Sequence, residues 1–576
     1  MTSAAETLSG PAESARTSAS SELDRAVNRV GDAASRFAAL TLAQRVDLLR
    51  RVARGVAEEA ETWVRRGHEA KGLPEDAGEE WLVGPVPVLR NLRLLGETLS
   101  RLEQGRTTLP PQAVRTRGDG RVEARVFPTD PFDAALFAGI EVRQVMAAGQ
   151  TERSVLERAG GLYHGGPTEK GVSVILGAGN VSSIPPMDAL TKCFAEGFCA
   201  VLKMNPVNEW VGPHLERAFA PMIDAGYLAI VYGGAEAGAY LTQHPGISDV
   251  HITGSSHTHD RIVWGPPGPE QDRRKAAGDP VLKKSISSEL GNVSPVMVVP
   301  DAYSEAELDY LAHNVAAMVS NNASFNCNAA KMLVLSAPWA QREVFLRRLS
   351  RVLVRIPTRR AYYPGATERF ARLTEGRERV ERIGDDQEGR LPWTLVHDLD
   401  PKRPDDPAFS TEPFCAILSV VALDEADPAA FLDAATRFAN DTLWGTLNAM
   451  LVVPPRLERS AEVGAAVDRA VETLRYGTVA VNQWPALVYA LTSPSWGGHP
   501  SSTLADIQSG LGWVHNTYLL DGIEKAVLRA PLRLRPKPVW FAEHRRAAAV
   551  GRGLVSMEAR PAWWKLPGLA VEALRG

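Results

Sequence analysis

Cys327 lies in the run Ser324-Phe325-Asn326-Cys327-Asn328, downstream of Glu289-Leu290-Gly291-Asn292 and of Gly177-Ala178-Gly179-Asn180. In chain order these segments offer an amide, a carboxylate and a thiol. A thiol can attack a carbonyl, a carboxylate can activate water, and an amide can hold an oxyanion. Together they describe chemistry on an aldehyde or a thioester. Each residue also has a plainer reading. A lone cysteine is commonly an inert buried side chain, Glu289 ahead of the apolar run 293–299 a solvated or paired group, and Asn180 a turn former. The neighbours set Cys327 apart. Cys193-Phe194, Phe198-Cys199 and Phe414-Cys415 each join a cysteine to a phenylalanine, as core segments do, whereas Cys327 sits between Asn326 and Asn328. Gly291 beside Glu289 implies a tight turn that could aim the carboxylate inward.

A chain of 576 residues is long enough for two or three lobes. Its 44% hydrophobic and 23% charged content is ordinary for a water-soluble globular protein. A formal charge of -4 argues against a nucleic-acid binder. No apolar run approaches the roughly 20 residues that span a bilayer. The four cysteines have no paired spacing, which disfavours a disulfide framework or a structural zinc site and fits a reducing, cytoplasmic compartment. Residues 1–21 are rich in Ser, Ala, Thr and Glu and lack an apolar core, so they read as a disordered lead-in rather than a secretory signal.

Helical periodicity runs through 23–67, with Leu42, Val46, Leu49, Ala53 and Val56 on one face, and again through 79–102, with a break expected near Pro85 and Pro87. A strand is expected at Val122–Phe127. Beyond Lys170 short apolar runs at Val172–Leu176, Cys199–Lys203, 228–232 and 249–253 alternate with helical segments, which implies βαβ units and a parallel sheet whose carboxyl ends bind ligand. Residues 265–279, rich in Pro, Gly and charge, read as a surface insertion. A second α/β block follows, with a helix at Glu305–Ser320, strands at 329–335 and 478–482, and an exposed Arg/Glu-rich stretch at 359–390. Residues 525–540 alternate apolar and basic positions like an exposed or intermolecular strand. Trp540, Trp563 and Trp564 in the tail suggest packing against the body or another subunit, with a peripheral membrane contact as the alternative.

These runs resemble the aldehyde dehydrogenase superfamily, as a divergent member. Gly177-Ala178-Gly179-Asn180 stands where that family has Pro-Trp-Asn. Val201-Leu202-Lys203 is similar to its Val-Leu-Lys strand, and His251-Ile252-Thr253-Gly254-Ser255 to Phe-Thr-Gly-Ser. Glu289-Leu290-Gly291-Asn292 with Pro295 is similar to Glu-Leu-Gly-Gly-x-x-Pro, Glu412-Pro413-Phe414 to Glu-x-Phe-Gly-Pro, and 477–482 to the strand before the substrate tunnel. The order holds from about 25 to 540. The resemblance implies an α/β fold with two Rossmann-type parallel-sheet domains and a small β oligomerisation arm. The expected division is a dinucleotide-binding domain from 22–115 and 155–288, an arm from 116–154 and 517–545, a catalytic domain from 289–516 and an extension from 546–576.

The resemblance also implies roles. Cys327 would attack an aldehyde, Asn180 would hold the oxyanion, and Glu289 would activate water against the thioester, with NAD or NADP accepting hydride. Lys203, Gly234, Gly238, Thr253, Gly254 and Ser255 would surround the cofactor, Glu412 would bind the nicotinamide ribose and Phe414 would back the ring. Phe325, Asn326, 483–485 and Trp496 would line the substrate tunnel, and the arm would make a homo-dimer or tetramer. The chain departs from the family pattern at Ala178-Gly179, Phe325-Asn326 and Cys415-Ala416. Pro206 replaces an acidic residue that often favours NAD. His257 and His259 are two residues apart at a helix start and would not share a face, so no metal is expected. Two other readings remain: a CoA-dependent acyl-thioester reductase, against which Glu289 argues, and a non-catalytic binding or scaffold protein that kept the fold.

Overall fold

The structure is a computed structural model and describes residues 17–166, 168–385 and 387–576. Of the expected lead-in, 1–16 lie outside the described residues; its end is ordered, because Ser20 already opens the helix Ser20–Gly31. Thr41 and Gln44 form a capping box at the start of Leu42–Lys71, and Gly72, at φ 64°, closes that helix in the left-handed conformation glycine tolerates. Val46, Leu49, Val52, Val56 and Trp63 form its buried stripe. The break expected near Pro85 is present, at Gly84. Glu79–Val83 ends at Gly84, and Pro85–Glu103 begins with proline at N1, where a missing N–H costs nothing.

Three antiparallel strands come first: β1 (Val114–Thr116), β2 (Val122–Phe127) and β3 (Glu141–Met146). Next come β4 (Val172–Leu176), β5 (Cys199–Lys203), β6 (Leu228–Val231), β7 (Asp249–Gly254) and β8 (Ser285–Leu290), which form a parallel sheet in the order β8-β7-β4-β5-β6. The short strand Gly510–Leu511 caps β8 antiparallel. Chain order reverses between β4 and β7, so the carboxyl ends of those two strands frame the crevice where such sheets bind ligand.

The second sheet has eleven strands. Its parallel core runs from Ile523–Arg529 through Thr478–Val481 and Asn448–Val452 to β9 (Pro295–Val298) and β10 (Met332–Ser336), then Ile417–Leu423 and Trp393–Leu399. Val380–Ile383 closes one end antiparallel. β9, β10 and Asn448–Val452 are buried at every position, as strands covered on both faces must be.

One sequence expectation holds and another needs correction. Residues 265–279 lie at the surface as expected, and most of them form a helix, Pro269–Ala277, with no buried residue. Pro269 occupies N1, Glu270 pairs with Arg273 and Arg274 one turn on, and Gly278 supplies the left-handed C-cap, so the apparent breakers are its two ends. The strand expected in 525–540 is neither exposed nor free. Ile523–Arg529 is hydrogen-bonded along both edges within the chain, to β3 on one side and Thr478–Val481 on the other. Its Lys525 is buried, with Nζ donating to the carbonyls of Glu472 and Leu474. In 359–390 the surface reading holds for most positions, but Ala366, Phe370 and Leu373 face inward from the helix Ala366–Thr374.

Candidate active site

The link between β8 and β9 is only four residues long, 291–294. It passes from the carboxyl end of the first sheet to the amino end of the second, where Pro295 of β9 pairs with Met332 of β10. The loop that enters β10 carries Cys327. Glu289 on β8 and Cys327 are thereby brought together: Cys327 Sγ donates to Glu289 Oε1 at 3.4 Å. The same oxygen accepts from Trp496 Nε1 at 2.9 Å, which fixes the carboxylate. Glu289 Oε2 is buried and finds no partner among the described residues.

These surroundings set the protonation. Burial pushes the Glu289 carboxyl up to about 7; the buried Asp188 adds to the rise, and donation from Trp496 and Cys327 opposes it. Burial also pushes the Cys327 thiol well up, with Glu289 adding and the Lys331 ammonium opposing. Both shifts favour the protonated forms, so a thiol faces a carboxyl basic enough to take its proton. Cys193, Cys199 and Cys415 are buried, and Cys327 alone of the four is partly exposed.

The backbone around Cys327 is anchored. Its carbonyl accepts from Lys331 Nζ at 2.9 Å and from Ser294 Oγ at 3.2 Å. Ahead of it Asn322, Ala323 and Ser324 all adopt left-handed φ, from 51° to 67°, without a glycine among them. Such residues cost about 1 kcal/mol each unless neighbours hold them. Asn322 does the holding: its Nδ2 donates to Asn180 O and Phe325 O, its Oδ1 accepts from Tyr362, and its N–H donates to Glu79. Asn180 Nδ2 in turn donates to Phe325 O at 2.9 Å, which orients the amide and leaves its second N–H available.

Lys331 also pairs with Glu412, whose carboxylate lies so close to Gly291 that a Cβ there would stand 1.8 Å from Oε2. A side chain at position 291 would push the Glu412 carboxylate out of this place. Phe414, at φ 43°, stands 5.9 Å from Phe325 and 5.0 Å from Tyr363, ring centre to ring centre.

At the crevice between β4 and β7, Lys203 ends β5, Gly254 ends β7, and Gly234 and Ser255 precede two nine-residue helices, Ala235–Gln243 and Ser256–Trp264. A Cβ on Gly234 would meet nothing within 4 Å, so the loop leaves open space beside a helix N-terminus, where a phosphate is stabilised. Burial lowers the Lys203 ammonium to about 8, opposed by Glu209. These residues fit a dinucleotide. One expected contact is not presented to it: Gly238 is buried inside its helix, facing Leu176. Thr253 is partly exposed, and its hydroxyl donates to Asp188 at 2.9 Å. Ser255 Oγ accepts from Thr258 N–H, as a helix cap.

The tunnel expectation is corrected in three places. Phe325 turns away from the thiol into a cluster with Tyr362 and Tyr363. Trp496 is fully buried behind Glu289. Gln483 donates to the carbonyls of Pro531 and Leu532. Asn326 and Trp484 do line a cavity that contains Cys327. Lys331, Asn322 and Glu209 were missed in the sequence; only the Asn321-Asn322 pair, of a type tolerant of left-handed backbone, offered a signal.

A family model described as "Aldehyde dehydrogenase family" matches residues 85–519. The chain is 31% identical over 191 residues to the 5-carboxymethyl-2-hydroxymuconate semialdehyde dehydrogenase of Escherichia coli, covering 33% of this chain and 37% of that one. It is 26% identical over 302 residues to an N-succinylglutamate 5-semialdehyde dehydrogenase of Novosphingobium aromaticivorans, covering 49% and 58%. The chain thus spans less than two thirds of either relative. An NAD-dependent aldehyde dehydrogenase structure from Sinorhizobium meliloti superposes with a TM-score of 0.59 at 19% identity, over 91% of this chain and 89% of that one, a likeness of fold.

Proposed function

Because the chain belongs to the aldehyde dehydrogenase family, we propose that it oxidises an aldehyde to a carboxylic acid, with NAD or NADP as hydride acceptor. The observation that carries this reading is the Cys327–Glu289 pair at 3.4 Å, with Trp496 fixing the carboxylate. As the thiol attacks the carbonyl carbon, its proton passes to Glu289 and the carbonyl oxygen takes the negative charge. The second N–H of Asn180 meets that oxygen; one such donor contributes about 3 kcal/mol to the transition state. The nicotinamide, when bound, supplies the acceptor for the hydride that leaves the thiohemiacetal carbon. A thioester on Cys327 remains. Glu289, having returned its proton to solvent, takes one from water as that water attacks, and the acid departs with the thiol restored.

Lys203, Gly234, Gly254 and Ser255 would hold the cofactor's ribose and phosphates, and Glu412 and Phe414 would hold the nicotinamide end once the Glu412–Lys331 pair opens. To Glu209, whose charge acts on the Lys203 ammonium, we assign the repulsion of a 2′-phosphate that Pro206 does not supply. Purified protein is therefore expected to reduce NAD⁺ in preference to NADP⁺ when given an aldehyde, followed at 340 nm. Saturating NAD⁺ is expected to raise Tm, since a ligand of the native state must stabilise it. Absence of both effects with either cofactor would overturn the reading.

The arm is also the place where a homo-dimer or tetramer would form: Ile523–Arg529 is paired along both edges inside the chain, so that strand is not the joint, whereas β1 ends the eleven-stranded sheet and pairs only with β2 among the described residues. The expected mass by light scattering is two or four times that of one chain, 62.4 kDa; the mass of a single chain would overturn the oligomer. Among the described residues no helix is long and apolar enough to cross a membrane.

A further inference from the structure

Beside Cys327 opens a cavity of about 130 Å³. Asn326, Asn328 and Cys327 form its reactive end, and most of the remaining wall is aliphatic or aromatic, as at Val86, Phe137, Ile184 and Leu487. The C-terminal segment contributes Val539, Trp540, Leu554 and Glu558 to the same wall. That segment is fastened in place. The helix Ala547–Ala559 carries Glu558, whose Oε1 accepts from Arg90 at 2.9 Å and whose Oε2 accepts from Arg93 at 2.7 Å. Gly551 lets the helix lie against Trp81, where a Cβ would come within 2.4 Å of the Trp81 Cβ.

Only two charged residues line the cavity, Arg90 and Glu558, and they are bonded to each other. Arg90 is bound at all three guanidinium nitrogens: Nε to Leu491 O, one terminal nitrogen to Asp133 and Glu558, the other to Asp133. Arg90, Asp133 and Glu558 are all buried. A carboxylate on an incoming substrate would have to displace one already in place, and would otherwise enter an apolar wall with no partner, at a heavy desolvation cost. The buried polar atoms among the lining residues that find no partner among the described residues, Asn328 Oδ1 and Trp540 Nε1, are neutral.

We propose that the substrate is a neutral, apolar aldehyde about the size of one ring or a six-carbon chain, and that the C-terminal segment is the wall that sets this class. The inference rests on the aldehyde-oxidising function proposed above. An aliphatic cavity of about 150 Å³ holds benzene; the space beside Cys327 is slightly smaller but partly open, so one phenyl group or a medium alkyl chain fills it. Each added methylene is expected to raise kcat/KM about fourfold until the cavity is filled.

The test is a panel of propanal, pentanal, hexanal and phenylacetaldehyde, with 4-oxobutanoate, in which a carboxylate takes the place of the terminal ethyl group of pentanal, assayed on the full chain with NAD⁺. Hexanal and phenylacetaldehyde are expected to exceed propanal at least tenfold in kcat/KM, and pentanal to exceed 4-oxobutanoate at least a hundredfold. If 4-oxobutanoate equals pentanal, the substrate class is wrong while aldehyde oxidation stands. If no aldehyde reduces the cofactor, both fall together. Leu554→Ala widens the wall and is expected to move the best alkanal longer by one or two carbons. A folded variant, judged by its melting curve, with an unchanged optimum would remove the C-terminal segment from the site.

Discussion

Cys327→Ala is expected to lower aldehyde-dependent NAD(P)⁺ reduction about 10⁴-fold or more, the scale on which loss of a covalent nucleophile falls. Nothing else nearby can replace it. Cys193, Cys199 and Cys415 are buried, whereas Cys327 is partly exposed and bonded to Glu289. The change should leave the fold intact, because the loop is held through the Cys327 carbonyl and through Asn322 rather than through the sulfur. The variant is therefore expected to melt near the wild-type temperature and to keep its upward shift with NAD⁺. That combination, dead in turnover yet competent in cofactor binding, separates a missing nucleophile from a damaged protein. A variant that keeps more than about a tenth of wild-type kcat would assign the nucleophile elsewhere.

Most of the fold was legible because its signals are local. Val172–Leu176 and Cys199–Lys203 are apolar runs bounded by Gly, Lys and Asn, and both have the limits expected of them. Glu305–Ser320 opens with Ser304 and Glu307, a capping box visible in the sequence. The segments misread, or not read as helix, are those whose state depends on distant partners or on which end of an element a residue occupies. Pro269 and Gly278 are helix ends that resemble loop residues. Lys525 and Arg529 gave their strand a solvated look. In the structure Lys525 bonds the carbonyls at the end of the helix Ala461–Thr473, and Arg529 pairs with Glu458 and Asp468. Neither partner set lies near the strand in sequence.

The site divides along the same line. The order Asn180, Glu289, Cys327 was readable because each residue sits in a short run of recognisable type. What prepares these groups for chemistry was not readable. Trp496 lies 207 residues from the Glu289 it orients, and nothing in Ser495-Trp496 distinguishes it from a tunnel residue. Phe325 was placed in the tunnel by its nearness to Cys327, yet three left-handed residues before it turn the ring into the Tyr362–Tyr363 cluster. The tail's share of the cavity depends on Glu558 reaching two arginines more than 460 positions away. Such pairings follow from packing and leave no local trace.

Glu289→Gln is expected to separate the two halves of the reaction. Glutamine keeps an oxygen for Trp496 Nε1 but cannot take a proton. With excess aldehyde and NAD⁺ the variant should release about one equivalent of NADH per chain, more slowly than wild type, and then stall as the thioester. Steady-state turnover should fall about 10²- to 10⁴-fold, the usual contribution of a positioned base. Wild-type steady-state rate should rise tenfold per pH unit below about 7 and level off above it, following the Glu289 carboxyl. The residual rate of the variant should be flat through that range. Stability should change in the opposite sense. A carboxyl raised from 4.5 to about 7 keeps in the native state a proton that the unfolded chain has lost. Native stability therefore declines as pH rises through that window, reaching a deficit of roughly 3 kcal/mol above it. Glutamine carries no such deficit. The gain in Tm of Glu289→Gln over wild type should accordingly be larger at pH 8.5 than at pH 5.5, measured by differential scanning fluorimetry. Undiminished steady-state turnover in the variant would remove Glu289 from the base role. A Tm gain independent of pH would show that the buried carboxyl is not held near 7. The outcome expected here, a less stable but active wild type beside a more stable and stalled variant at high pH, follows from one fact: burial makes the charged form of Glu289 both costly and basic.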